Sequence, residues 1–163
     1  MNIITNIASP HYSIRTNPIK FIIIHYTELT FDDALDRLCN PLSKVSSHYL
    51  IKSDGKIFEL VDTSNVSWHC GVSYWNGLDT INDHSIGIEL DNLGCEAYSI
   101  EQMNSCIDLC KILMSRYNIP NANILGHSDI AIDRKIDPGI FFDWGLLASH
   151  NLGLWYDAIA KLL

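Results

Sequence analysis

Phe21-Ile22-Ile23-Ile24-His25 carries successive apolar, mostly β-branched side chains with no polar break before the histidine. A run of that kind has apolar groups on both pleated faces, so it reads as a strand in the middle of a sheet, buried on both sides. It ends on an imidazole. A distant counterpart, Asn123-Ile124-Leu125-Gly126, reads as a short strand that delivers His127. The stretch that follows, Gly126-His127-Ser128-Asp129-Ile130-Ala131-Ile132-Asp133-Arg134-Lys135-Ile136-Asp137-Pro138-Gly139, packs one histidine, three carboxylates and two cations into a loop-like segment closed by a Pro-Gly turn. His25, His127 and Asp137 together offer two imidazoles and one carboxylate, which is the ligand set of a catalytic zinc whose fourth position stays open for water.

Outward from these segments the local signals are ordinary. Thr30 caps a short helix in which Phe31, Ala34, Leu35 and Leu38 share a face, and Pro41 ends it. Residues 46–52 and 56–61 read as a hairpin turning at Asp54-Gly55. Residues 62–84 have no clear period and are rich in Asp, Asn, Ser, Gly and aromatics, as binding loops often are. Ser85-Ile86-Gly87-Ile88-Glu89-Leu90 reads as a second central strand. Ser99 and Gln102 form a capping box for a helix that carries Ile100, Met103, Ile107, Cys110 and Met114 inward. A last helix is expected over about 154–163. Strands and helices in this mixed order predict an α/β or α+β fold, a central mixed sheet flanked by helices, in one domain spanning 1–163.

The 163 residues are enough for a full core without staples. The formal net charge of -8 argues against nucleic acid, whose phosphates require a basic face. The five cysteines (Cys39, Cys70, Cys95, Cys106 and Cys110) make an odd number without framework spacing, which predicts free thiols in a reducing compartment. No apolar run reaches the length of a membrane span and the N-terminal stretch does not resemble a signal peptide, so a cytoplasmic monomer is expected; the periplasm or the exterior applies if a leader has been removed.

Taken singly, each candidate has an ordinary structural alternative. A histidine at a strand end is commonly a satisfied structural residue, and an aspartate before proline is commonly a turn residue. Convergence of two sheet-edge histidines and one carboxylate favours the metal. Cys106 and Cys110, one helical turn apart, offer a rival zinc pair, but both fall on or near the apolar helix face, where core packing explains them. Glu89 is the candidate base for amide hydrolysis, since an acid on an otherwise apolar strand is costly unless used. Its alternative is an outward residue, with Ile86, Ile88 and Leu90 facing the core opposite it. The oxyanion of a tetrahedral intermediate needs a cation, and Lys135 or Arg134 can supply it, one of the two pointing inward. Trp68 and His69 lie in the irregular loop, where an aromatic beside an imidazole suits a sugar ring or peptide. His48 reads as structural or as a support behind the site, and His11, His84 and His150 as surface residues.

Ser9-Pro10-His11-Tyr12, Ile24-His25-Tyr26-Thr27, Val45-Ser46-Ser47-His48-Tyr49-Leu50-Ile51, Trp68-His69-Cys70-Gly71-Val72-Ser73, Asn82-Asp83-His84-Ser85-Ile86-Gly87-Ile88-Glu89 and the 126–139 segment resemble, in order and spacing, the type 2 N-acetylmuramoyl-L-alanine amidase family, also called AmpD-like or peptidoglycan-recognition-like. The likeness runs from residue 9 to about 144. It implies a zinc held by His25, His127 and Asp137 in a surface groove, Glu89 as catalytic base and Lys135 as oxyanion partner; Trp68, His69 and Asn82 are the expected substrate contacts. It implies cleavage of the amide between N-acetylmuramic acid and L-alanine of peptidoglycan stem peptides, with muropeptides as partners.

Three positions depart from the family pattern. Phage-type members place a tyrosine where this chain has Ser47, which leaves acid–base duty to Glu89. The segment between His25 and Ser46 is shorter than in dedicated recycling enzymes, so an open groove can accept intact murein as well as anhydro-muropeptides. Cys70 stands where alanine is usual. The expected role is muropeptide recycling or wall turnover; the rivals are a secreted or phage-type lytic amidase and a non-catalytic peptidoglycan-binding module. Filled ligand, base and cation positions favour an enzyme over the module.

Overall fold

The structure is a computed structural model that describes residues 2–155. The strands are β1 (Ile3–Ile4), β2 (Tyr12–Ile14), β3 (Phe21–Tyr26), β4 (Tyr49–Ile51), β5 (Ile57–Glu59), β6 (Asn65–Ser67), β7 (Ser85–Leu90) and β8 (Ile124–Gly126). The helices are α1 (Phe31–Cys39), α2 (Ile81–His84), α3 (Ile100–Tyr117), α4 (His127–Ile130) and α5 (Trp144–Ser149), with a 3₁₀ turn at Asn121–Asn123. Six strands form one mixed sheet in the order β1-β5-β4-β7-β3-β8, and β2 pairs with β6 in a separate antiparallel ribbon.

β3 lies between two parallel neighbours, which explains its unbroken apolar run: Phe21 to His25 are all buried. The pleat divides its side chains. Ile22 and Ile24 join Ile86, Ile88, Leu90, Tyr49 and Ile51 in the main core, which α3 covers with Met103, Cys106, Ile107, Leu109, Cys110 and Leu113. Ile23 and Phe21 face the other way with Ile81, Leu125 and Ile130, while Leu38 of α1 packs on Leu50 and Leu60 farther along that face. Cys106 and Cys110 are therefore packing residues, and all five cysteines are free.

Three local expectations need correction. Ser99 caps α3 by accepting from the Gln102 N–H at 3.0 Å, but the reciprocal half of the box is missing. The buried Gln102 amide donates instead to the carbonyls of Ile51, at the end of β4, and Asp91, just past β7, at 2.9 and 3.0 Å, which satisfies a buried amide. Ile100 is 59% exposed, so the apolar face of α3 begins at Met103. His11 and His84 are buried rather than superficial: the His11 ring stacks near Trp68 and its Nε2 meets the Asn40 carbonyl at 2.8 Å, while His84 Nδ1 sits 3.3 Å from the Pro18 carbonyl. His150 is exposed, as expected.

The hairpin forms as β4 and β5 with Gly55 at φ 83° in its turn, although the strands are shorter than expected because Leu60 and Val61 both donate to the His48 carbonyl and disrupt regular pairing. The irregular 62–84 stretch contains β6, α2 and a bridge between Trp75 and Leu78. The expected helix over 154–163 lies outside the described residues save for its first two positions. Among the described residues no helix is long and apolar enough to cross a membrane.

Candidate metal centre

Parallel pairing of β3 with β7 sets His25 directly beside Glu89, and pairing of β3 with β8 brings Ile24 opposite Gly126, one residue before His127. The pleat turns His25 and Glu89 away from the α3 side. They open into a cleft of about 560 Å³ between α1, which contributes Ala34, Arg37 and Leu38, and the loop after α4, which contributes Arg134 to Asp137. That loop is folded back on its origin: Ser128 N–H donates to the Asp137 carbonyl at 2.9 Å, and Gly126 N–H donates to Asp129 Oδ2 at 2.7 Å. Gly126 leaves room for the return, since a β-carbon there would lie 2.8 Å from Pro138 Cδ.

At the cleft floor His25 Nδ1, His127 Nδ1 and Asp137 Oδ2 form a triangle whose three edges are each 3.0 Å. All three residues are buried, and they form a possible metal-binding triad. A tetrahedral ion with bonds of about 2.0–2.1 Å separates its ligands by roughly 3.3 Å, so the triangle is close to the size such an ion requires. The donor chemistry also fits, because a single proton cannot satisfy two imidazole nitrogens and a carboxylate that all point at one place. On its outer side His127 Nε2 lies 2.9 Å from the Cys70 carbonyl, which accepts only; the proton is therefore on Nε2 and Nδ1 is bare.

The electrostatics follow from burial. Burial pushes His25 down to about 4 and His48 to about 3, and with the neighbouring His25 charge it holds His69 well below the ordinary histidine value. Burial, reinforced by the Asp137 charge, lifts Glu89 well above the carboxylate range. Burial also opposes ionisation of Asp137, but the two imidazoles 3.0 Å from it, when protonated toward it, hold this carboxyl well below its usual value. Between pH 6.5 and about 4 an unfolded chain takes up protons on the three rings that the folded chain refuses, while folded Glu89 retains one proton the unfolded chain releases. With three rings on one side and one carboxyl on the other, the balance favours the unfolded state as the pH falls. Urea unfolding of metal-free protein at pH 6.5 and pH 5 is expected to show that loss; a flat profile contradicts it.

Lys135 and Arg134 do diverge. The Arg134 guanidinium is committed to the carbonyls of Cys70, at 2.6 Å, and Val72, so it ties the 126–139 loop to the 68–73 loop. Among the described residues the Lys135 side chain has no hydrogen-bond or ion-pair partner, and its charge is felt by both His25 and Glu89. Glu89 Oε2 is buried without a hydrogen bond, as is Ser47 Oγ. Trp68 lines the cleft with its indole N–H on Ser13 Oγ at 2.9 Å, and His69 lines it while only 9% exposed. Asn82 stays outside the cleft wall; its Oδ1 accepts from the backbone N–H groups of His69 and Cys70, at 3.1 and 2.8 Å.

His48 supports the sheet from within, its Nδ1 accepting the Gly87 N–H at 3.0 Å and lying 2.7 Å from Ser67 Oγ. Arg37, which the sequence reading passed over, reaches the cleft because it neighbours the buried stripe of α1; a cation flanking an apolar helical face was the available signal.

The family model described as N-acetylmuramoyl-L-alanine amidase, Amidase_2, matches residues 15–140, and the chain belongs to that family. It is 40% identical over 156 residues to the N-acetylmuramoyl-L-alanine amidase AmiD of Escherichia coli K12, covering 86% of this chain but 56% of the relative. To the 1,6-anhydro-N-acetylmuramyl-L-alanine amidase AmpD of Haemophilus influenzae it is 36% identical over 159 residues, covering 85% of this chain and 86% of the relative. The solved complex of E. coli AmiD with the substrate anhydro-N-acetylmuramic acid-L-Ala-D-γ-Glu-L-Lys superposes with a TM-score of 0.82 at 38% identity, covering 86% of this chain and 60% of that one. The chain thus spans little more than half of AmiD and most of AmpD.

Proposed function

We propose that the cleft is the active site of a zinc-dependent hydrolase that cleaves the amide between N-acetylmuramic acid and L-alanine of stem peptides, with soluble anhydro-muropeptides as the substrate class. The observation that carries this reading is the triangle of His25, His127 and Asp137 on the cleft floor, one strand away from Glu89, whose Oε2 is buried without a hydrogen bond. The substrate class is supported by the activity for which the AmpD relative is named and by the ligand of the AmiD complex.

His25, His127 and Asp137 would hold the zinc, whose Lewis acidity would polarise the scissile carbonyl and make a water nucleophilic near neutral pH. Glu89 takes the proton from the attacking water and returns it to the departing amine of L-alanine; a carboxyl raised toward neutrality by burial suits both halves of that exchange. Lys135, whose side chain has no hydrogen-bond or ion-pair partner among the described residues, balances the oxyanion. Trp68 offers an apolar face to sugar or peptide at the cleft edge. The five free thiols, three of them buried, support a cytoplasmic recycling role.

The test is to incubate zinc-loaded and chelator-stripped protein with soluble anhydro-N-acetylmuramyl peptides and with purified sacculi. Peptides beginning with L-alanine are expected from the soluble substrate, only with metal present, and restored by added zinc. Release by stripped protein rejects the mechanism, and preferential release from sacculi assigns the chain to wall lysis.

A further inference from the structure

The proton positions around His25 can be derived without reference to any ion, starting from the sheet interior. Ser85 Oγ lies 2.7 Å from the Ile81 carbonyl, which can only accept, so the single hydroxyl hydrogen is spent there. The same Oγ lies 3.1 Å from His69 Nε2, so it must accept, and the His69 proton resides on Nε2. His69 Nδ1 is consequently bare. The Cys70 thiol, a weak donor, lies 3.3 Å from that nitrogen, and His25 Nε2 lies 2.9 Å from it, the two rings meeting edge-on at 89°. His25 therefore carries its proton on Nε2 and presents a bare Nδ1 to the triad.

His69 is held for this task from two sides. Asn82 fixes its backbone through Oδ1, and its ring lies flush on Gly87, where a β-carbon would come within 2.5 Å of Cγ. Gly87 is the residue of β7 that faces the cleft side between Ser85 and Glu89. A glycine in mid-strand weakens the strand, and here it makes space for one imidazole behind another.

We propose that His69 is a positioning residue of the metal centre: anchored on Ser85 and seated on Gly87, it accepts the Nε2 proton of His25 and fixes that ligand's tautomer and ring orientation. The inference rests on the reading that the triad binds a divalent ion, and it gives His69 a task distinct from the substrate contact suggested by its place in the loop. A carbonyl does the equivalent for His127; His25 depends on a side-chain relay, which single substitutions can interrupt.

The experiment measures zinc affinity by competition with a chromophoric chelator, and records the visible absorption of the cobalt-loaded protein, for wild type, His69→Leu, His69→Asn and Ser85→Ala. Leucine removes the acceptor, and affinity is expected to fall 10- to 100-fold, on the order found when such supporting partners are lost, with a shifted cobalt spectrum. Asparagine places its amide oxygen where Nδ1 stood, and most of the affinity and the wild-type spectrum are expected to return. In zinc-loaded protein the buried His25 Nε2 proton should give a slowly exchanging imidazole resonance that survives in His69→Asn and is absent in His69→Leu.

Wild-type affinity and spectrum in His69→Leu, or asparagine behaving no better than leucine, overturn the proposal. Should His69→Leu fail to fold, Ser85→Ala decides the matter. It leaves the ring in place and frees its tautomer, so weakened zinc retention at an unchanged melting temperature supports the relay, and unchanged retention overturns it. A wild-type chain that takes up no zinc overturns the parent reading and is distinguishable at once from these outcomes.

Discussion

Glu89→Gln is expected to lose 10²- to 10⁴-fold in turnover on anhydro-muropeptide while retaining a full complement of zinc. Glutamine keeps the volume and the hydrogen-bonding shape of the side chain but can neither accept nor return the proton of hydrolysis. Three features place the burden on this carboxylate. It is register partner to His25 across the β3–β7 ladder, so the strand pairing itself fixes its proximity to the triad. Its Oε2 is buried with no hydrogen bond, and an unpaired acid in that setting is destabilising for the fold, which argues that its use lies outside folding. Burial and the Asp137 charge raise its proton affinity toward the range where donating and accepting are both feasible. Steady-state rates together with metal analysis separate the possibilities. Loss of zinc in Glu89→Gln would reassign the residue to the metal, and near-normal turnover would remove it from the mechanism. Removing an acid whose Oε2 is buried without a partner is also expected to leave the variant at least as resistant to urea as the wild type.

Lys135→Ala is expected to lower kcat by about 10²- to 10³-fold, the usual cost of deleting one oxyanion donor, with KM changed far less. Charge that develops only in the transition state is stabilised only there, so a residue that serves it moves kcat. A residue that serves the ground-state peptide moves KM, and that pattern in Lys135→Ala would disprove the oxyanion role. Arg134→Ala is the informative contrast. Arg134 spends its donors on the Cys70 and Val72 carbonyls, so its loss should lower the melting temperature and disturb His127, which shares the Cys70 carbonyl.

Much of this site was legible before any coordinates. β3 and β7 stand out because burial on both faces demands an unbroken apolar run, and the one polar residue that ends or interrupts each run, His25 or Glu89, must then be accounted for. The cap residues Thr30 and Ser99 act within four residues of themselves, so their signals are local to the chain. The errors have a common physical origin. Ile100 has the right periodicity for the core and is exposed, because periodicity states which face a residue occupies and not where the sheet beneath it ends. Gln102 answers two distant carbonyls in place of its own helix end, a choice set by acceptors that only the packing of α3 on the sheet brings within reach. β1 and β2, at two and three residues, are too short to carry a period, and their existence depends on partners more than fifty residues away.

Sequence by itself determined the chemical inventory: two histidines and an aspartate at element ends, an acid on an apolar strand, adjacent cations in one loop, and the alternation that orders strands and helices. These are local properties, dictated by side-chain type and by periods of two and 3.6 residues. Only the tertiary structure decided which of the two cations is free, that Asn82 braces a loop away from the cleft wall, and that His69 stands behind His25 on the floor left by Gly87. Those outcomes turn on distances of about 3 Å between residues far apart in the chain, and hydrogen-bond direction is defined only once donor and acceptor are brought face to face.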